Sequence, residues 1–201
     1  MYSDQLPFAR GKVFGVTANT DGPSWLGNEW IVEDKDPADP VKKRSNRFVT
    51  LRAVRNSSTV ALLPKRVVRY KTTTLHTEVD GYTALTSQYF AGVVDEFLPA
   101  AGVPVGDVFF IAVKGPTLCL TDIAPLASVI AEDDQMVAST AAASTAAATP
   151  GTDGGRVSEA AFTGSTAVLG EQIMNRVGRA LSAKTTGNTN ADILIDLRAD
   201  Y

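Results

Sequence analysis

Residues 84–120, ALTSQYFAGVVDEFLPAAGVPVGDVFFIAVKGPTLCL, set Phe90, Val93 and Val94 ahead of a Gly- and Pro-marked segment. An almost wholly apolar run, residues 108–113, then leads to Lys114-Gly115-Pro116. Short apolar runs between such breakers read as buried strands, because Val, Phe and Ile fit a pleated surface while Gly and Pro end pairing. A buried helix is the competing reading of residues 108–113. The run is too short for it, and Gly106 and Gly115-Pro116 bound it on both sides. No residue type in this stretch points to chemistry, so the starting expectation is a β-rich binding or structural module.

Toward the C-terminus, residues 135–140, 166–169, 173–183 and 192–198 are strand candidates, with Gly187-Asn188 as a turn. Ile193, Ile195 and Leu197 alternate with Leu194 and Asp196, as in a strand with one face on a core. Gly178, inside RVGRAL, marks a bulge or a close backbone approach. Residues 140–150 are nearly all Ala, Thr and Ser, and helix and small-residue loop both remain open.

Toward the N-terminus, residues 13–18 offer a short strand and residues 19–23 (NTDGP) a turn. The acidic, Pro-rich residues 33–40 (EDKDPADP) read as an extended crossing without regular structure. After Arg47 the chain reads FVTLRAV, then Asn56-Ser57-Ser58, then TVALL, Pro64 and KRVVRY. The β-branched residues and the Asn-Ser-Ser break predict a hairpin, with Pro64 marking an edge strand or bulge. Asp80-Gly81 is a second turn signal.

With 201 residues, 44% hydrophobic and only 20% charged, and with 16 Gly and 10 Pro, the chain is long enough for a real core and favours strands with tight turns. The expectation is a mainly β protein. Residues 1–74 form an extended N-terminal arm and β-hairpin, and residues 75–201 a small β-barrel or β-sandwich body.

Cys119 lies between two leucines and reads as a small buried hydrophobe. With His76 the lone histidine, a Cys/His metal site within one chain is excluded as an expectation, and no cofactor is called for. Glu132, Asp133 and Asp134 leave open a weak oxygen-ligand calcium site. Residues 1–10 have no apolar core and no run reaches the length of a membrane span, so neither a leader nor a membrane contact is expected.

A serine hydrolase is not expected either. His76 is the only histidine base on offer, no G-x-S-x-G elbow occurs, and the loop at residues 151–155 (GTDGG) carries Asp where a nucleophile would stand. Phosphate-binding loops are absent as well.

Charge is asymmetric. Residues 1–71 hold 13 Lys/Arg against 7 Asp/Glu, whereas the remainder is acidic. A basic arm on an acidic body can steer toward an acidic surface, but the aromatic strand motif of RNA-recognition modules is missing, so no specific nucleic-acid binding is expected. The candidate partner-binding residues are Trp25 and Trp30, which flank Gly27-Asn28, and the cluster Lys42, Lys43, Arg44 and Arg47. Each has a structural alternative, the rings sealing the core and the cations standing in solvent.

GVVDEFLPAAGVPVGDVFFIAVKGPT at residues 92–117, MVAST at 136–140 and RVGRALSAKTTGNTNADILIDL at 176–197 together resemble the head decoration, or cement, proteins of tailed bacteriophages. The resemblance rests on the order of these features and covers roughly residues 84–198. It implies a small β body on the exterior of a virion made in the host cytoplasm. That body would clamp neighbouring major capsid subunits, as a homotrimer, without catalysis. Residues 1–74 and 140–150 depart from the family's usual look. The alternative is a β-barrel domain of a viral fibre or adhesin that binds carbohydrate.

Overall fold

A computed structural model describes residues 6–16, 23–71, 74, 76–81, 90–121, 130–138, 157–159, 176–184 and 192–198. The described part is mainly β. In chain order the strands are β1 (Glu29–Asp36), β2 (Asp39–Asn56), β3 (Val67–Tyr70), β4 (Glu78–Gly81), β5 (Phe90–Val94) and β6 (Val108–Leu120). After them come β7 (Gln135–Ala138), β8 (Val157–Glu159), β9 (Arg176–Ala180) and β10 (Asp192–Arg198).

The sheet runs β1-β2-β4-β3-β5-β6-β10-β9-β7-β8, and β2 also pairs with β6. That extra pairing closes β2, β4, β3, β5 and β6 into a ring, antiparallel throughout except between β2 and β4. Side chains from all five ring strands meet in one cluster, including Val54, Val68, Val79, Val94 and Ile111, which is the ring's interior. A second cluster lies against the ring's outer side. It joins Trp30, Leu51 and Phe110 to Met136, Val177 and Ile195 of the strands beyond β6. β6 belongs to both cores, Phe109 and Ile111 facing one and Phe110 and Ala112 the other, as a strand's two-residue period requires.

The Lys114-Gly115-Pro116 signal does not end β6. It changes the strand's partner. Up to Ala112 the strand has β2 on one edge and β5 on the other; a bulge then places Lys114 opposite Thr50, and from Lys114 to Leu120 β10 takes the place of β5. Gly115 holds φ at +92°, and a methyl group there would run into the carbonyl oxygen of Phe48. Pro116, which cannot donate to a ladder, falls just past the last β2 partner. The expected feature at Gly178 is also present, since the β7–β9 register shifts there and a methyl would meet the Asp196 carbonyl oxygen.

Four expectations are corrected. Residues 33–40 are not irregular: they hold the end of β1, a turn and the start of β2, and the Asp36 carboxylate accepts the Ala38 N–H at 2.8 Å. Asn56-Ser57-Ser58 does not join a hairpin, because β4 lies between β2 and β3. Instead Asn56 is fully buried, donating to the Val60 and Val103 carbonyls at 3.0 and 2.8 Å and accepting from Ser58, which ties two loops together. Asp80-Gly81 lies within β4 rather than in a turn. Residues 13–16 contribute one bridge, Phe14 to Val108, rather than a strand. The pairings β2–β4, β2–β6 and β3–β5 all cross residue 74. Residues 140–150, 166–169 and Gly187-Asn188 lie outside the described residues, as does most of the turn at 19–23.

Gly115 and Gly106 separate two effects, since both have positive φ but only Gly115 is crowded. Gly106→Ala should cost about 1–2 kcal/mol for the left-handed backbone alone. Gly115→Ala should cost that and a further ~1–3 kcal/mol of overpacking. Urea unfolding of the two variants checks the difference.

Candidate interaction surface

Where β6 changes partner, four strands lie side by side, and one row of cross-strand partners runs Ile31, Thr50, Lys114, Arg198. Such partners point to the same side of a sheet. On β2 that side also carries Phe48 and Arg52, and Arg52 is the partner of Ile111 in the ring's interior. The face that forms core within the ring therefore continues past it, uncovered by any described segment. The result is a groove of about 970 Å³ between the β1–β2 hairpin and the end of β10, floored by Gly115-Pro116. On one bank stand Ile31 and Phe48, which are 48% and 59% exposed. The same two residues also line a smaller depression of about 360 Å³, together with Leu6, Arg10 and Pro37. Large apolar side chains exposed together within a polar rim are a mark of interaction sites.

A charge cluster, buried except at Arg44, holds the hairpin in place. Arg10 donates to the Asp95 carboxylate through Nε and Nη2 at 3.2 and 3.1 Å, and both groups are buried. Arg44, on β2, reaches Glu96 at 2.8 Å and Asp34 at 3.9 Å. Both guanidiniums lie over the Phe97 ring, at 4.6 and 5.4 Å from its centroid. Segment 6–16, the hairpin and the turn after β5 are thus tied at one point. Burial raises the pKa of Asp95, opposed by Arg10, and raises that of Glu96, opposed by Arg44.

The candidate residues read from the sequence are dispersed over this arrangement. Trp30 is 5% exposed and meets Phe110 edge-on, rings 5.7 Å apart, so it seals the core rather than offering a contact surface. Trp25 is half-buried against Phe8 and Phe14, and Phe8 stacks on Phe110 with centroids 4.2 Å apart. Lys43 pairs with Glu33 at 2.7 Å, Arg44 with Glu96, and Arg47 with Asp196 at 3.6 Å. These three cations neutralise carboxylates of the same chain instead of forming a free basic patch. The side chain of Lys42 lies outside what is described. Hydrogen bonds from Lys35 and Lys43 hold Glu33 at a pKa of about 2. Of the five whose side chains are described, Arg47 alone lines the larger groove.

His76 is exposed, with Nδ1 3.1 Å from an Arg52 guanidinium nitrogen and its ring edge-on to Tyr70. Cys119 is buried, and that burial pushes its thiol pKa well above the usual value, the opposite of activation. Among the described residues no group of three His, Cys, Asp or Glu is placed to hold a metal ion, and Asp134 accepts the Ala131 N–H at 2.6 Å.

Ile31, Phe48 and Lys114 were not singled out from the sequence as contact residues. Phe48 did leave a signal: in FVTLRAV it occupies the phase of Thr50 and Arg52, where an outward-facing polar residue belongs.

No family model matches the chain, and no curated protein matches it. Among solved structures, the N base of head fiber gp8.5 of bacteriophage phi29 is similar at a TM-score of 0.41 and 12% identity, covering 76% of this chain and 96% of that one. At that level the likeness lends no weight to any role.

The buried cluster predicts a pH signature. A carboxyl whose folded pKa is raised contributes stability that is complete below its ordinary pKa and is lost as the pH rises through the raised value. Arg10→Met strands Asp95 and raises it further. The variant should lose about 3–5 kcal/mol at pH 7, and the deficit should shrink as the pH is lowered toward 5. Urea unfolding across that range checks both statements; a deficit independent of pH would mean that Asp95 is not the stranded charge.

Proposed function

We propose that this protein is a non-catalytic structural component of a tailed-phage head, attached to the outside of the capsid through the face that carries Ile31 and Phe48. The observation that carries the reading is the exposure of those two side chains where the face that carries the ring's core continues past it. Burying both against a partner removes apolar surface from water and stabilises attachment, whereas leaving them exposed serves no purpose in the fold. The order of features across residues 92–197 supports the head-decoration class in particular.

In this reading the partner is the major capsid protein, contacted at many symmetry-related copies so that modest single contacts accumulate. Neither a cofactor, a membrane nor a specific nucleic acid takes part. Among the described residues β1, at one end of the sheet, has no strand on its outer edge, which leaves that edge for a neighbouring copy to cover. We propose a homotrimer on that ground. The carbohydrate-binding alternative has no supporting observation of its own, since Phe48 is the one aromatic side chain lining the larger groove among the described residues.

Purified particles should carry the wild-type chain in hundreds of copies. The double variant Ile31→Ser, Phe48→Ser, whose side chains are exposed and not part of either core, should keep its unfolding midpoint and bind at least about thirtyfold more weakly, the ~2 kcal/mol expected of a hot spot. Quantitative mass spectrometry of washed particles reads both. Full retention of the double variant would remove this face from the attachment.

A further inference from the structure

The groove's charges say what kind of partner segment it takes. Its described lining includes four cations, Arg47, Arg52, Lys114 and Arg198, and two anions, Glu29 and Asp196. Arg52 pairs with Glu29, while Asp196 is shared by Arg47 at 3.6 Å and Arg198 at 4.0 Å. Lys114 has no ion pair among the described residues and is exposed at the centre of the row. Two positive charges are therefore left over around an apolar bank.

Shape points the same way. The stretch of β6 that lines the groove is Val113-Lys114-Gly115-Pro116, in which Lys114 is the one long side chain. The row Ile31, Thr50, Lys114, Arg198 crosses three strand spacings, about 14 Å, the reach of roughly four residues of extended chain. A second copy of the same face is a poor occupant, because an isologous contact would set like charges against each other.

We propose that the groove binds an extended acidic segment of a partner protein, one large apolar side chain packing on Ile31 and Phe48 and flanking carboxylates meeting Lys114 and Arg198. This rests on the reading of the same face as a binding surface, and adds the chemistry of what it binds.

The probe is a fluorescein-labelled peptide, GSDELFDEGS, with GSKRLFKRGS and GSDESSDEGS as controls, followed by anisotropy on the full chain. The acidic–apolar peptide should bind at least about tenfold more tightly than either control. Its binding should weaken between about 50 and about 300 mM NaCl, and should fall at least about tenfold in Lys114→Glu, Arg198→Glu and separately in Ile31→Ser, Phe48→Ser. Because all four side chains are on the surface, unchanged unfolding midpoints confirm that the variants fold. The proposal is overturned if the basic peptide binds as well as the acidic one, if the charge reversal leaves binding unchanged, or if sedimentation shows two copies associating through this face. A glycan that binds and is displaced only by Phe48→Ser would likewise give the groove to another ligand. Particle retention keeps the two readings apart. Peptide binding without particle retention sinks the capsid role and leaves the ligand class standing. Retention that depends on Phe48 but not on Lys114 and Arg198 does the reverse.

Discussion

The structure turns on the point where β6, still beside β2, exchanges β5 for β10 on its other edge. A strand has two edges, and each residue can serve one partner on each. By bulging at Val113 and passing Gly115 under the Phe48 carbonyl, β6 completes the ring with its first half and recruits the distal strands with its second. Both cores depend on this, since Phe109 and Ile111 fill the ring while Phe110 and Cys119 pack outside it. So does the groove. β2 and β10 are held either side of a glycine and a proline, with nothing from the described chain laid over Ile31 and Phe48.

Apolar packing alone does not fix the hairpin, because one of its faces is open. Trp30 and Val49 bury the other face, and the charge cluster of Arg10, Asp95, Arg44 and Glu96 sets the hairpin's position. Buried ion pairs add little net stability because desolvation offsets the attraction, but a wrong arrangement strands a charge and is strongly disfavoured. The cluster thus selects one placement of the hairpin, which gives the face carrying Ile31 and Phe48 a fixed shape.

Local patterns in the sequence were legible and long-range ones were not. Residues 108–113, 135–138 and 192–198 appear as strands because β-branched and alternating residues report a half-buried or buried pleat directly. Gly178 was legible for the same local reason. Residues 33–40 misled because Pro and acidic residues were weighed as breakers, whereas Asp36-Pro37 makes a turn and Glu33 and Asp34 find Lys43 and Arg44 on the returning strand. The basic cluster reads from the sequence as a candidate patch or as solvated cations, and its carboxylate partners are not visible there. No pattern in one sequence announces that Arg10 meets Asp95, 85 residues away, or that β4 inserts between β2 and β3. Phe48 was visible as an aromatic in a polar phase, but its meaning needed the topology that leaves its face uncovered.

Hydrogen–deuterium exchange on the free protein and on the protein bound to purified capsids tests the central claim most directly. Exposed strand edges and faces slow their exchange when a partner covers them. The account predicts that new protection concentrates in residues 29–36, 47–52, 113–116 and 196–198. Protection confined to β7–β9, or none on the β1–β2 hairpin, would contradict it.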